Sequence, residues 1–113
     1  MPGLPLRTLV DTWHNTVEKW PRKAAVVVGG QSYTYGELDA QIARLCARLQ
    51  ALGVAPGDRV AVAMPNSIEF YLAYWAILRA GAILAPVNTR LGEPEMRYVF
   101  ENIDPKVVFL HQD

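Results

Sequence analysis

Val60-Ala61-Val62-Ala63-Met64 is an uninterrupted apolar run, bounded by the turn residues Ala55-Pro56-Gly57-Asp58 before it and by Pro65 after it. Such a run is typical of a strand covered on both faces, because a half-exposed strand alternates apolar and polar residues. Strands of this kind belong mostly to parallel sheets, in which crossover helices lie on both faces. We therefore predict a parallel sheet with this strand inside it.

The segment before this strand is predicted to be an amphipathic helix. Thr34 and Glu37 have the spacing of a capping box, in which each side chain satisfies a backbone N–H of the other residue. Gly53 is placed to end the helix. Between them, apolar residues recur at helical spacing, as expected of a helix that covers one side of a sheet: Leu38, Ile42, Leu45, Cys46, Leu49 and Leu52.

The segment after the strand is mostly apolar over residues 68–87, which is long enough to cross a membrane. A membrane span would place Arg79 in hydrocarbon, at a high energetic cost. A helix capped by Asn66 and internal over residues 70–78, followed by a buried strand over residues 82–87, explains the same apolarity. We therefore predict this helix and strand, and no integral membrane span.

A further helix and strand are predicted towards the end of the chain. Residues 95–102 form a helix behind Pro94, and Asp104-Pro105 ends it. The apolar run Val107-Val108-Phe109-Leu110 is predicted as a third buried strand.

The start of the chain is predicted to form a helix and a hairpin. Thr8 is placed to cap the helix and Pro21 to stop it. Two β-rich runs, Ala24–Val28 and residues 31–35, flank Gly29-Gly30, a two-residue turn that tolerates positive φ.

These elements predict an α/β fold with a partial, open and mainly parallel sheet, flanking helices and a short N-terminal hairpin. The 113 residues suit one domain. Residues 1–113 contain no interdomain linker and no internal repeat, so we expect no second domain.

Composition excludes several classes of function. Eleven basic residues balance eleven acidic ones, which gives no net attraction to nucleic acid. Cys46 is the only cysteine, so neither an intrachain disulfide nor a cysteine-rich metal site is expected. The N-terminus has no apolar stretch typical of a secretion signal. We expect a reducing, cytoplasmic setting.

Ligands of open α/β sheets bind beyond the carboxyl ends of the strands, here near Pro65-Asn66, Asn88-Thr89-Arg90 and His111-Gln112-Asp113. Asn88 and Arg90 can donate hydrogen bonds to an anionic ligand, but Asn also suits a turn and Arg an exposed loop. The structural interpretation is preferred for both residues.

The remaining candidates for chemistry have simpler structural interpretations. No glycine-rich phosphate motif occurs, and Gly29-Gly30 is explained as a hairpin turn. His14 and His111 have no metal ligand at suitable spacing. Cys46 is expected to act as a small hydrophobic residue with a raised pKa. Core packing is expected of the aromatic residues in two helices, which are Trp13, Trp20, Tyr71, Tyr74 and Trp75.

One ordered series of motifs resembles the N-terminal part of AMP-dependent acyl-CoA synthetases, a family of acyl-adenylate-forming ligases. Each motif is weak alone, but the order and spacing of the set are specific, and they cover nearly the whole chain. Gly92-Glu93-Pro94-Glu95 departs from the pattern, since relatives often have Thr-Pro-Glu-Glu there. The motifs are Tyr33-Thr34-Tyr35-Gly36-Glu37-Leu38, Gly57-Asp58-Arg59-Val60-Ala61, Pro65-Asn66-Ser67-Ile68-Glu69-Phe70, Gly81-Ala82 and Pro86-Val87-Asn88-Thr89-Arg90-Leu91.

The resemblance implies an N-terminal fragment of an AMP-binding domain, spanning residues 1–113, from a ligase that uses ATP, Mg²⁺ and coenzyme A. Such enzymes convert a carboxylic acid to an acyl-adenylate and then to a thioester. A fatty or aryl acid is the expected substrate, and the remainder of the adenylation domain is the expected partner.

The phosphate loop, the ribose-binding aspartate and the catalytic lysine of this family lie beyond the matched region. No catalytic, cofactor-binding or metal residue is therefore assigned, no cofactor is expected to bind to this segment, and the segment alone is expected to be inactive. Two alternatives stay open: a stand-alone binding or regulatory module whose open sheet edge pairs with a partner, and a non-functional truncated remnant.

Overall fold

Helices and strands alternate along the computed structural model, which describes residues 6–110. The helices are α1 (Leu6–Lys19), α2 (Tyr35–Ala51), α3 (Ile68–Arg79) and α4 (Glu93–Ile103). The strands are β1 (Ala24–Val28), β2 (Gln31–Thr34), β3 (Arg59–Ala63), β4 (Ile83–Pro86) and β5 (Val107–Leu110).

The three later strands form one parallel sheet in the order β4-β3-β5. Val62 of β3 lies opposite Pro86 on one side and opposite Phe109 on the other. The four residues from Val60 to Ala63 are all buried, so the prediction of a doubly covered central strand in a parallel sheet is confirmed. The α/β fold class is confirmed with it.

The two outer strands are correctly located, but the prediction that they are buried is wrong. In β4, Ile83 is 51% exposed, and in β5, Leu110 is 65% exposed. Each strand has β3 on one side and no partner strand on the other within residues 6–110. An apolar run predicts a strand that is suited to a protein interior. Whether the strand is actually buried depends on the neighbouring elements that cover it.

The sheet has helices on both faces. On one face, α1, α2 and α3 pack around Leu38, Ile42 and Ile77, all of which are buried. On the other face, α4 covers a smaller cluster: Ala61, Ala63 and Val87, with Met96, Val99, Phe100 and Ile103 packed against them. The sheet is thus the middle of three layers.

Local signals set most helix ends. The Thr34 side chain accepts from the backbone N–H of Glu37, and the Glu37 carboxylate accepts from that of Thr34, which confirms the capping box. Helix α4 ends at Ile103, so the prediction that Asp104-Pro105 stops it is confirmed, and Asp104 itself is left-handed, at φ 49°. Gly53, just beyond α2, also has positive φ.

Three predicted helix starts are wrong. Helix α1 already includes Leu6, so Thr8 lies inside it and does not cap it. Ser67 caps α3 in place of Asn66, because its hydroxyl accepts from the backbone N–H of Phe70 at 3.1 Å. Helix α4 begins at Glu93, two residues before the predicted start at Glu95. Its capping residue, Gly92, has no side chain that could accept a hydrogen bond.

The hairpin is a separate antiparallel pair, in which Val28 lies opposite Gln31. Gly29 and Gly30 have φ of 56° and 81°, which only glycine adopts freely, so the turn prediction is confirmed. The apolar stretch 68–87 is divided between α3 and β4. Within the described part of the chain, no helix combines the length and apolarity that a membrane crossing requires.

Candidate functional site

The carboxyl ends of the three parallel strands meet at one edge of the sheet. The backbone N–H of Val87 donates to the carbonyl of Val62 at 2.9 Å, and Ala63 lies opposite Leu110. The segments that leave β3 and β4 therefore emerge side by side, as expected from the sequence. The third segment named there, His111-Gln112-Asp113, lies outside the described residues.

Asn88 and Arg90 follow β4 at this edge. The Asn88 side-chain oxygen accepts from the backbone N–H of Arg90 at 2.9 Å, so Asn88 forms the turn that its structural interpretation predicted. This bond holds the backbone of Arg90, whose side chain is exposed. Among residues 6–110, no carboxylate pairs with the Arg90 guanidinium, which leaves a cation at the edge.

A groove of about 400 Å³ opens where β3 leads into α3. We call it the aromatic groove, and it is lined by Asn66, Ser67, Phe70, Tyr71, Tyr74 and Trp75. Its walls are largely apolar, and its polar groups are the Asn66 and Ser67 side chains before α3, the two tyrosine hydroxyls and the Trp75 indole N–H. A groove of this size and polarity accommodates part of an apolar or aromatic ligand.

Tyr71 and Trp75, which form the floor of the aromatic groove, are fixed in place by contacts with the ring of Trp13. Trp13 is buried and stacks on Trp75, with ring centroids 4.8 Å apart, and meets Tyr71 edge to face at 6.3 Å. Burial raises the pKa of the Tyr71 phenol, although a hydrogen bond with Trp75 partly opposes this. The floor is therefore a rigid part of the core.

The prediction of core packing holds for only some aromatic residues. Trp13, Tyr71 and Trp75 belong to the main apolar cluster or pack against it. Trp20 is 54% exposed, with the Lys23 ammonium 5.4 Å from its ring, and Tyr74 is 36% exposed at the rim of the aromatic groove. For these two residues the prediction was wrong. Helical spacing indicates which side of a helix is apolar, but not which part of that side is covered by a neighbouring element.

A polar contact between the three helices α1, α2 and α3 was missed by sequence reasoning. Asp39 on α2 accepts from Trp13 on α1 and pairs with Arg79 on α3. These residues are 26 and 40 positions from Asp39. The only available signal was two charges of opposite sign on neighbouring amphipathic helices.

The side chains that most often bind metals or act as nucleophiles are scattered over the part of the chain that the structure describes. It contains no cluster of three His, Cys, Asp or Glu residues able to hold a metal ion. His14 is half-buried on α1, and Cys46 is buried on α2 with a pKa raised by burial, partly offset by Arg79.

Comparison with known proteins gives one consistent family. A family model described as AMP-binding enzyme matches residues 13–113. The chain is 43% identical over 75 residues to the long-chain-fatty-acid–CoA ligase FadD13 of Mycobacterium tuberculosis, covering 66% of this chain and 15% of that ligase. It is 41% identical over 88 residues to a feruloyl-CoA synthase of Amycolatopsis, covering 78% of this chain and 18% of that enzyme.

Solved structures agree with the sequence matches. A fatty acyl CoA synthetase of Mycobacterium tuberculosis superposes with a TM-score of 0.82 at 35% identity, covering 88% of this chain and 20% of that one. The chain thus spans about a fifth or less of the length of these relatives.

Proposed function

Because this chain belongs to the AMP-binding enzyme family, we propose that it forms the N-terminal part of an ATP-dependent carboxylic acid:CoA ligase. The complete enzyme converts an acid, ATP and coenzyme A to an acyl-CoA, AMP and pyrophosphate through an acyl-adenylate. The single observation that carries this proposal is the family match over residues 13–113, supported by the superposition on a fatty acyl CoA synthetase.

The segment's role in this enzyme is to support the active site. Its central strand is paired on both sides and buried from Val60 to Ala63, whereas β4 and β5 each have one edge without a partner strand among residues 6–110. Val108 and Leu110 on β5 and Ile83 on β4 are exposed apolar residues along these edges. Exposed apolar edge strands attract partner strands, so the remainder of the adenylation domain is the expected cover.

The expected substrate is a fatty or aryl carboxylic acid. Support comes from the relatives, whose names specify a long-chain fatty acid in one case and feruloyl-CoA in another. The aromatic groove lies at the carboxyl edge of the sheet and has apolar walls that suit either class. We place the enzyme in the cytoplasm, since a single cysteine suits a reducing compartment.

Residues 1–113 alone are expected to be inactive. Adenylyl transfer needs cationic and backbone donors placed around the phosphates. Arg90 is the one cation at the carboxyl edge that the described residues leave without a carboxylate partner, and one side chain cannot replace that set.

Two measurements test the proposal. The first is the intact mass of the protein isolated from its source, where we expect a mass several times that of 113 residues. The second is ATP–pyrophosphate exchange by the isolated protein with a panel of fatty and aryl acids, where we expect exchange that depends on the acid. Purified residues 1–113, as the matched control, are expected to give none.

Each contrary outcome favours a specific alternative. A native mass that matches residues 1–113 would overturn the ligase proposal, leaving the stand-alone module or the truncated remnant. A stable, monodisperse protein of that mass would favour the module, and an unfolded one the remnant. If the native protein is longer but catalyses no ATP–pyrophosphate exchange with any acid, the family assignment would stand and the proposed reaction would be rejected.

A further inference from the structure

The outer face of α2 carries a second groove, away from the strand ends. It has a volume of about 300 Å³ and lies between α2 and α3. We call it the arginine groove, and its lining residues are Gln41, Arg44, Leu45, Arg48 and Leu72. Arg44 and Arg48 are one helical turn apart, so both guanidinium groups extend from the same side of α2.

The two arginines have no acidic partners among residues 6–110. The acidic residues of α2 are both occupied near its start: Glu37 caps the helix, and Asp39 pairs with Arg79. The one other ion pair in the described chain joins Arg97 to Glu93 on α4. The arginine groove therefore carries two guanidinium groups that have no ion-pair partner among residues 6–110.

The floor of the arginine groove is apolar. Leu45 and Leu72 are half-buried at its base, below the exposed arginines. Leu52, the residue that follows α2, comes four positions after Arg48 and is 64% exposed. The surface thus combines two guanidinium groups, without acidic partners among residues 6–110, with two half-buried leucines and one exposed leucine.

We propose that the arginine groove docks an acidic, amphipathic segment of a partner protein. A guanidinium presents a planar fork of donors that matches a carboxylate, and two forks one turn apart match acidic residues at the same spacing on a helix. An apolar side chain between them fits the leucine floor. Charge complementarity selects this partner.

A protein segment fits this surface better than an anionic membrane does. A membrane presents a broad surface of phosphates, and proteins that lie on it bury large exposed apolar side chains. In the arginine groove, Leu45 and Leu72 are recessed within a concavity that a single side chain can enter. Only Leu52 projects outward.

The test is fluorescence anisotropy with a labelled synthetic peptide that carries glutamate and leucine at helical spacing. The full chain is titrated, and the double variant Arg44→Glu/Arg48→Glu is expected to bind about tenfold more weakly, because each pair is lost and replaced by repulsion. Leu52→Ala is expected to weaken binding by a smaller factor. All replaced residues are exposed, and far-UV circular dichroism checks that each variant folds.

Arg22→Glu is the matched control, since Arg22 is exposed and lies in the turn before β1. Its binding should equal that of the unaltered chain. The single variants Arg44→Glu and Arg48→Glu change the charge by the same two units as Arg22→Glu. An equal loss of affinity for all three single variants would overturn the proposal, because binding would then follow overall charge. Tight binding to vesicles of anionic phospholipid, without binding to the peptide, would also overturn it and indicate a membrane surface.

Discussion

The indole Nε1 of Trp13 donates to Oδ1 of Asp39 at 3.0 Å. The same oxygen accepts from Nη1 of Arg79 at 3.2 Å. One carboxylate oxygen therefore joins α1, α2 and α3 at the point where they pack together. Trp13 is buried, so its N–H depends on this acceptor.

Replacement of Asp39 by Ala is expected to lower the free energy of unfolding by about 1–3 kcal/mol, because the Trp13 N–H and the Arg79 guanidinium both lose their acceptor. Asp39→Asn retains a side-chain oxygen and should lose less. The measurement is urea denaturation. Glu93→Ala is the control, since the pair between Glu93 and Arg97 is exposed and should contribute less than about 1 kcal/mol. Equal losses for Asp39→Ala and Glu93→Ala would contradict this account.

Gly36→Ala is expected to destabilise the chain, although Ala favours a helix over Gly by about 1 kcal/mol. A Cβ at position 36 would lie 2.9 Å from the backbone oxygen of Pro21, which also accepts from the Gly36 N–H. Thermal unfolding of this variant should be compared with that of Ala47→Gly, on the exposed side of the same helix. A stabilised Gly36→Ala variant would show that the contact with Pro21 relaxes easily.

The aromatic groove should divide into a structural floor and a free rim. Trp75→Ala is expected to cost about 3–5 kcal/mol of stability, because it removes the ring stacked on Trp13. Tyr74→Ala should cost much less, since Tyr74 is partly exposed at the rim. The free energy of unfolding of both variants is measured by chemical denaturation, followed by tryptophan fluorescence and by circular dichroism. Similar losses for the two variants would mean that the rim also supports the core.

Because the Cys46 thiol is buried, we expect the free energy of unfolding to decrease in alkaline solution. Burial raises its pKa, so the folded state retains the thiol proton at a pH where the unfolded chain releases it. The unfolded state then binds fewer protons, and the free energy of unfolding decreases as pH rises above about 8.5. Cys46→Ala should show a shallower decline. Slow alkylation by iodoacetamide in the folded state, and fast alkylation in urea, would support the same account.

Arg90 should affect ligand binding and not folding. Its side chain is exposed, so Arg90→Gln is expected to leave the melting temperature unchanged. In the proposed complete ligase, the same change should raise KM for an anionic substrate several-fold at constant kcat, since it removes a uniform binding contact. Arg59→Gln is the matched control, because Arg59 starts β3 at the opposite edge of the sheet. Equal kinetic effects of the two variants would exclude a local role for Arg90.

Several features of the fold could be predicted because they depend on neighbouring residues in the chain. The capping box of Thr34 and Glu37, the glycine turn of the hairpin and the apolar run of β3 are each contained in a few consecutive positions. The α3 cap shows the limit of such signals. Asn66 and Ser67 both have capping side chains, and the backbone conformation decides that Ser67 is used.

The position of the candidate site in the fold could be predicted from the sequence, but the side chains that line it could not. Parallel strands must end at a common edge, so Asn66 and Asn88 could be assigned there from their order in the chain. The aromatic groove could not be foreseen in the same way. Tyr71 and Tyr74 are three residues apart on one helix, yet Tyr71 packs beside Trp13 and Tyr74 reaches solvent at the rim.

The sequence by itself determined the alternation of helices and strands, the parallel sheet and, through its ordered motifs, the family. Only the tertiary structure decided that Asp39 joins Trp13 to Arg79 and that Ile83 and Leu110 are exposed. It also decided that Arg44 and Arg48 have no acidic partner within residues 6–110. The physical reason is the range of the interactions. Caps, turns and hydrophobic periodicity act within a few residues, whereas burial and ion pairing depend on which distant elements pack together.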